Sequence, residues 1–106
     1  MLMTKAFRDQ NPKIAGAIYA AIEEANALIN TKPAEAADIY IKATGEKRTD
    51  RTKMEKIVAD PDNVWTTTPQ YGMKYVNFMH KVGTAKKIPN DWKELFMPEV
   101  HALPGS

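Results

Sequence analysis

The chain has 106 residues, a formal charge of +2, 43% hydrophobic and 26% charged side chains, and no cysteine. A chain of this length makes one small domain with a modest core. Without cysteine there are no disulfides and no thiolate metal sites, and so mild a positive balance does not by itself indicate nucleic acid. No apolar run approaches the ~20 residues of a membrane span. Residues 1–10 lack the apolar stretch of about 7–15 residues that marks a signal peptide, as would any stretch from inside a secreted protein.

The first clear element is a helix over about 11–30. Asn11 is a good N-cap and Pro12 suits the first helical position, where a missing N–H costs nothing. Ile14, Ile18, Ala21, Ile22, Ala25, Leu28 and Ile29 recur at helical spacing and predict one buried face. A second helix spans 33–44, opened by Pro33, favoured by Glu35 in its first turn and stopped by Gly45. Ala36, Ile39, Tyr40 and Ala43 share a face. The connection between these helices is so short that they should pack as a hairpin.

A third helix covers 51–60. Thr52 and Glu55 have capping-box spacing, Asp50 is a competing cap, and Met54, Ile57 and Val58 form the apolar side. The stretch "VWTTT" then reads as extended, being β-branched and aromatic and ending at Pro69. A fourth helix runs over 69–82, with Thr68 as cap and Pro69 at its first position. Tyr71, Tyr75, Phe78, Met79 and Val82 make one stripe along it, and Gly83 ends it. A short helix at 90–96, capped by Asn90 or Asp91, precedes an irregular end containing prolines. With no repeat, low-complexity segment or linker, the pattern predicts a mostly α chain in one unit, 1–106, with at most a short strand remnant.

Candidate chemistry is sparse. His80 and His101 have neither a His-x-x-x-His spacing nor a carboxylate at a helical interval, so both read as structural. Glu23 and Glu24 are adjacent on a helix and do not face each other, which makes a poor acid–base pair. Ser106 is the sole serine and the last residue, so a serine nucleophile is as poorly supported as a thiol one. No glycine-rich phosphate loop is present. Lys47, Arg48, Arg51, Lys53 and Lys56 cluster, but Glu46, Asp50, Glu55, Asp60 and Asp62 are interleaved with them, as on a solvated helix surface. Tyr71, Tyr75, Phe78 and Met79 at helical spacing read as core rather than as a ligand box. Nothing here forms a catalytic constellation.

Three segments taken in order carry a resemblance: "KAFRDQNPKIAGAIYAAIEEANALINTKPAEAADIY", "WTTTPQYGMKYVNFMHKVGT" and "DWKELFMPEVHALPGS". Together they resemble the C-terminal portion of periplasmic substrate-binding proteins of ABC transporters, of the nitrate, sulfonate and taurine type related to thiamine-pyrimidine precursor binders. The resemblance covers essentially the whole chain. It rests on the "F-x-x-x-N-P" opening of an alanine-rich helix, on "P-A-E-A-A", on the "TTTP…KY…FMH…GT" block and on the closing "LPGS". The stretch "TAKKIPNDW" departs from it in a minor way, since the resemblance implies an aliphatic residue nearer the "GT" turn.

The resemblance implies a non-enzymatic role without cofactor or metal. The parent would have two α/β lobes with a small anionic or heterocyclic solute held between them, and would deliver it to a membrane permease. This chain would then be the helical C-terminal portion, with residues 2–7 left from a strand. The ligand-binding residues, unknown here, would lie upstream. Tyr71, Tyr75, Phe78 and Met79 would dock outer helices of one lobe, with Trp65 anchoring the approach. Helices deprived of their sheet should self-associate. The rival reading is a stand-alone helical interaction module, including a helix-turn-helix-like nucleic-acid binder.

Overall fold

The computed structural model describes residues 2–106 and divides into two compact units, Met1–Thr66 and Thr67–Ser106. The chain is mostly helical, with five α-helices and no strand among the described residues. The first unit holds α1 (Lys5–Gln10), α2 (Pro12–Thr31), α3 (Pro33–Thr44) and α4 (Arg51–Val58). The second holds α5 (Gly72–Lys81) and two short 3-10 turns, Trp92–Leu95 and Pro98–Val100.

Local signals account for most boundaries. Pro12 and Pro33 occupy first turns, and a single residue, Lys32, separates α2 from α3. Gly45 ends α3 at φ +65, the left-handed cap that glycine adopts at least cost. Of the two caps proposed for α4, Asp50 prevails: its side chain accepts from the Lys53 N–H at 2.8 Å. Asp50→Ala should therefore cost about 1 kcal/mol of helix stability, which a thermal melt of the α4-containing unit would resolve.

Residues 2–7 do not extend as a strand. The Thr4 hydroxyl accepts from the Phe7 N–H at 3.1 Å, a Lys5–Asp9 pair spans one turn, and a helix follows. A lone strand has no neighbour to satisfy its backbone, whereas a capped turn satisfies itself. Asn11 is not the side-chain cap of α2: its amide donates backwards to the Phe7 carbonyl at 3.0 Å, closing α1 instead.

The helix expected over 69–82 begins at Gly72, because Tyr71 sits at φ +62 and breaks the first turn. The third helix ends at Val58 rather than 60. There the Trp65 indole N–H donates to the Val58 carbonyl and the Asn63 amide to the Ile57 carbonyl, satisfying groups that a helix C-terminus leaves open. Asn30 on α2 holds the Trp65 carbonyl at 3.0 Å, so the 63–66 segment is tied to two helices. The segment expected as a helix over 90–96 is a single 3-10 turn.

α3 packs on both α2 and α4. The contact is made by small side chains: Ala15 and Ala37 are fully buried and Ala36 nearly so, while among the described residues no large side chain is fully buried. The faces therefore differ from those expected. On α2 the inner ridge runs through Ala15, Ile18, Ile22, Asn26 and Ile29, while Ile14, Ala21 and Ala25 are exposed. On α3 the inner ridge is Ala34, Ala37 and Ile41, leaving Ile39, Tyr40 and Ala43 outside. On α4, Met54 and Val58 turn in and Ile57 out.

Candidate interaction surface

The second unit is organised by its last residue. The Ser106 hydroxyl accepts from the Tyr71 N–H at 3.0 Å, and the Ser106 carbonyl oxygen accepts from the Gly72 N–H at 2.7 Å. The Ser106 N–H in turn donates to the Pro69 carbonyl at 3.2 Å. Residues 103–106 thus strap the start of α5 and satisfy N–H groups that a helix N-terminus leaves open. Thr68 is not the cap; Tyr71 occupies that position, in a backbone conformation that disfavours any side chain.

Trp92 is the pillar under the strap. Phe96 and His101 meet its ring edge-on, with centroids 6.1 and 6.0 Å away. Gly105 lies flat on the indole, so closely that a Cβ there would fall 2.6–2.7 Å from three ring carbons. His101 Nε2 is 2.9 Å from the Lys93 carbonyl and 3.0 Å from the Phe96 carbonyl. Both partners accept, so this nitrogen carries the proton and donates. His80 likewise donates from Nδ1 to the Ala85 carbonyl at 2.9 Å. Both histidines hold loops, and among the described residues no group of three His, Cys, Asp or Glu is placed to bind a metal.

α5 has two apolar faces. Gly72, Met73 and Val76 turn toward the rest of the unit. The stripe read as core points away: Tyr71 is 60% exposed, Tyr75 69%, Phe78 62%, Val82 56% and Met79 41%. Tyr71, Lys74, Tyr75 and Phe78 line an open groove of about 300 Å³, with the Lys74 ammonium 5.7 Å from the Tyr71 ring centre. A groove on one helix surface has no opposing wall, so it offers a face to another surface more readily than a pocket to a solute.

The other candidates from the sequence are spread apart. Glu23 accepts from the Tyr19 hydroxyl at 2.8 Å, and Glu24 is exposed. In the basic cluster, Arg51 forks onto Asp38, at 2.6 and 3.3 Å, and reaches Glu55 at 3.3 Å. The hydrogen-bonded Asp38 carboxylate raises the Arg51 pKa above its ordinary value. On α1, the hydrogen bond from Lys5 lowers the Asp9 pKa. Such exposed pairs add little stability. The first unit carries as many acidic as basic side chains, so the chain's formal +2 resides wholly in the second. That neutrality weakens the reading of 47–56 as a phosphate-contacting face.

The stripe was legible in the sequence, but its outward direction was not. The Ser106 strap had no local signal, since it joins residues 35 positions apart. No family model, curated protein or solved structure matches the chain. Among the described residues no helix is long and apolar enough to cross a membrane.

Proposed function

We propose that this chain is the helical C-terminal portion of a periplasmic solute-binding protein of an ABC transporter, of the nitrate, sulfonate, taurine or pyrimidine-precursor class. The observation that carries this reading is the incomplete core. Helices α2 to α5 are well formed, yet the only side chains they bury are alanines. Ile14, Ile39, Tyr40, Ile57, Tyr75 and Phe78 are left largely uncovered. A helical layer of this kind suits the outer cover of a sheet supplied by other parts of a larger protein. The ordered resemblance of "NPKIAGAIYAAIEEAN", "WTTTPQYGMKYVNFMH" and "DWKELF" points to the same family.

In that role the parent protein works by binding. A solute bridging two lobes favours their closed arrangement because it makes contacts there that the open one lacks. This portion supplies scaffold, and the parent's remaining sequence supplies the solute's ligands.

The test is a pair of calorimetric titrations with taurine, alkanesulfonates, nitrate and pyrimidine precursors. One uses the present chain, the other the longest in-frame protein encoded with it. The expected result is binding by the longer protein to one of these solutes and no heat from the present chain. Tight binding by the present chain alone, or an in-frame stop immediately upstream of Met1, would overturn the proposal.

A further inference from the structure

We infer that residues 103–106 are a latch that holds off one turn of α5, so that docking of the strap and lengthening of the helix exclude each other. The inference is independent of the transporter reading. Local signals at 68–71 favour a helical turn: threonine is a capping residue and Pro69 suits the first helical position. A residue before proline also favours the extended backbone that an N-cap adopts. Yet α5 starts at Gly72, with Tyr71 at φ +62 and Ser106 on the N–H groups of Tyr71 and Gly72. A contact between distant residues has displaced a local one.

The two arrangements serve the same atoms. In a helix capped at Thr68, the Thr68 hydroxyl accepts from the Tyr71 N–H at the third helical position. The Gly72 N–H donates four residues back to the Thr68 carbonyl, and the Met73 N–H to the Pro69 carbonyl. In the strapped form the Tyr71 N–H, the Gly72 N–H and the Pro69 carbonyl are the groups that Ser106 engages. Each bond lost when the strap leaves is therefore replaced when the opened turn re-forms on Thr68. Lengthening also frees Tyr71 from a left-handed backbone that disfavours any side chain. Two features oppose it: the close Gly105–Trp92 contact, and Gly72, which would move from the end of the helix into its interior. In the longer helix Tyr71 falls in helical register with Tyr75 and Phe78, so release of the strap carries the exposed stripe one turn further.

The test is NMR of the full chain, reading carbon-13 shifts and amide exchange, with iodide quenching of Trp92 in a Trp65→Phe background. In the native chain Tyr71 should show left-handed shifts, and the Tyr71 and Gly72 N–H groups should be protected. Gly105→Ala should favour release about fivefold to a hundredfold, the range of overpacking. Gln70 and Tyr71 should then take helical shifts, both N–H groups should stay protected, and Trp92 should become quenchable. Ser106→Ala removes the hydroxyl bond without adding an atom and should act in the same direction, about fivefold. It keeps the test decisive if Gly105→Ala fails to fold. Tyr71→Gly accepts the left-handed backbone and weakens the helix, so it should oppose release about tenfold or more. Thr68→Ala added to Ser106→Ala removes the new cap and should reduce the helical turn about fivefold.

Coil shifts at Gln70 and Tyr71 with loss of protection would overturn the inference, because the strap would then be a clasp with no second form. So would helical shifts while Trp92 stays covered, or a new turn indifferent to Thr68→Ala. Unchanged shifts in both Gly105→Ala and Ser106→Ala would overturn it as well. None of these outcomes bears on solute binding by the longer protein.

Discussion

Gly105→Ala will unfasten the strap that closes the second unit. A β-carbon at residue 105 would sit 2.6–2.7 Å from three carbons of the Trp92 ring, closer than packed carbons approach. Either the indole or the strap must move. The indole is hemmed by Phe96 and His101, so the strap is the element expected to yield. Its departure removes Ser106 from the Tyr71 and Gly72 N–H groups and reopens the first turn of α5. The expected cost is about 1–3 kcal/mol, the usual scale for overpacking. It falls on a unit in which only Pro69 and Val100 are buried.

Trp92 is the only tryptophan in that unit, so its fluorescence in a Trp65→Phe background reports the change directly. Emission should move toward the red, with a lower urea midpoint. Gly16→Ala is the control. Nothing lies within 4 Å of a Cβ there, and the site is inside α2, so this change should stabilise the chain by about 0.5–1 kcal/mol. Equal effects from the two substitutions would show that the Trp92 contact is not what closes the unit.

The second large effect is expected at Ala37. Its side chain is fully buried on α3, the helix that packs on both α2 and α4. Leucine at that position adds three carbons where no room exists and should cost about 1–3 kcal/mol, or more if the neighbours cannot part. Ala43→Leu, on the exposed side of the same helix, should change stability by less than about 0.5 kcal/mol. Thermal melts by circular dichroism, with Trp65 fluorescence reporting on the first unit, compare the two. A neutral Ala37→Leu would mean that α3 is held more loosely than its buried alanines indicate.

Both expectations have the same origin. The interior of this chain is made of close contacts between small groups: Ala15, Ala36 and Ala37 between helices, and glycine against tryptophan at the strap. Such contacts are intolerant of added atoms yet remove little apolar area from water. Many of the larger side chains, which would supply most of the stabilisation, remain exposed, and the others are at most partly covered apart from Val100. The apolar area left bare on α5 is part of what supports the proposed parent protein.

Most of the helices were legible in the sequence because their causes are local, whereas α1 overlaps residues expected as a strand remnant. Pro33 and Gly45 bound α3 at both ends as expected, Pro12 opens α2, and Asp50 caps α4, each through a neighbour within four residues. The mostly α class followed from the same signals. Periodicity also marked out the α5 stripe.

What periodicity does not carry is direction. α5 has apolar residues on two sides, and the side carrying Gly72 packs inward because a residue without a side chain lets Phe96 and Ser106 approach the backbone. Tyr71, Tyr75 and Phe78 were thereby turned outward. The same preference put Ala37 inside on α3 and left Ile39 and Tyr40 exposed. The strap at Ser106 and the left-handed Tyr71 depend on residues far apart in the chain meeting in space. For α2, α3 and α4 helix formation is decided within a turn or two of the backbone, and the sequence alone determined it. Which face is buried depends on what else is present to bury it, and that only the tertiary structure decided.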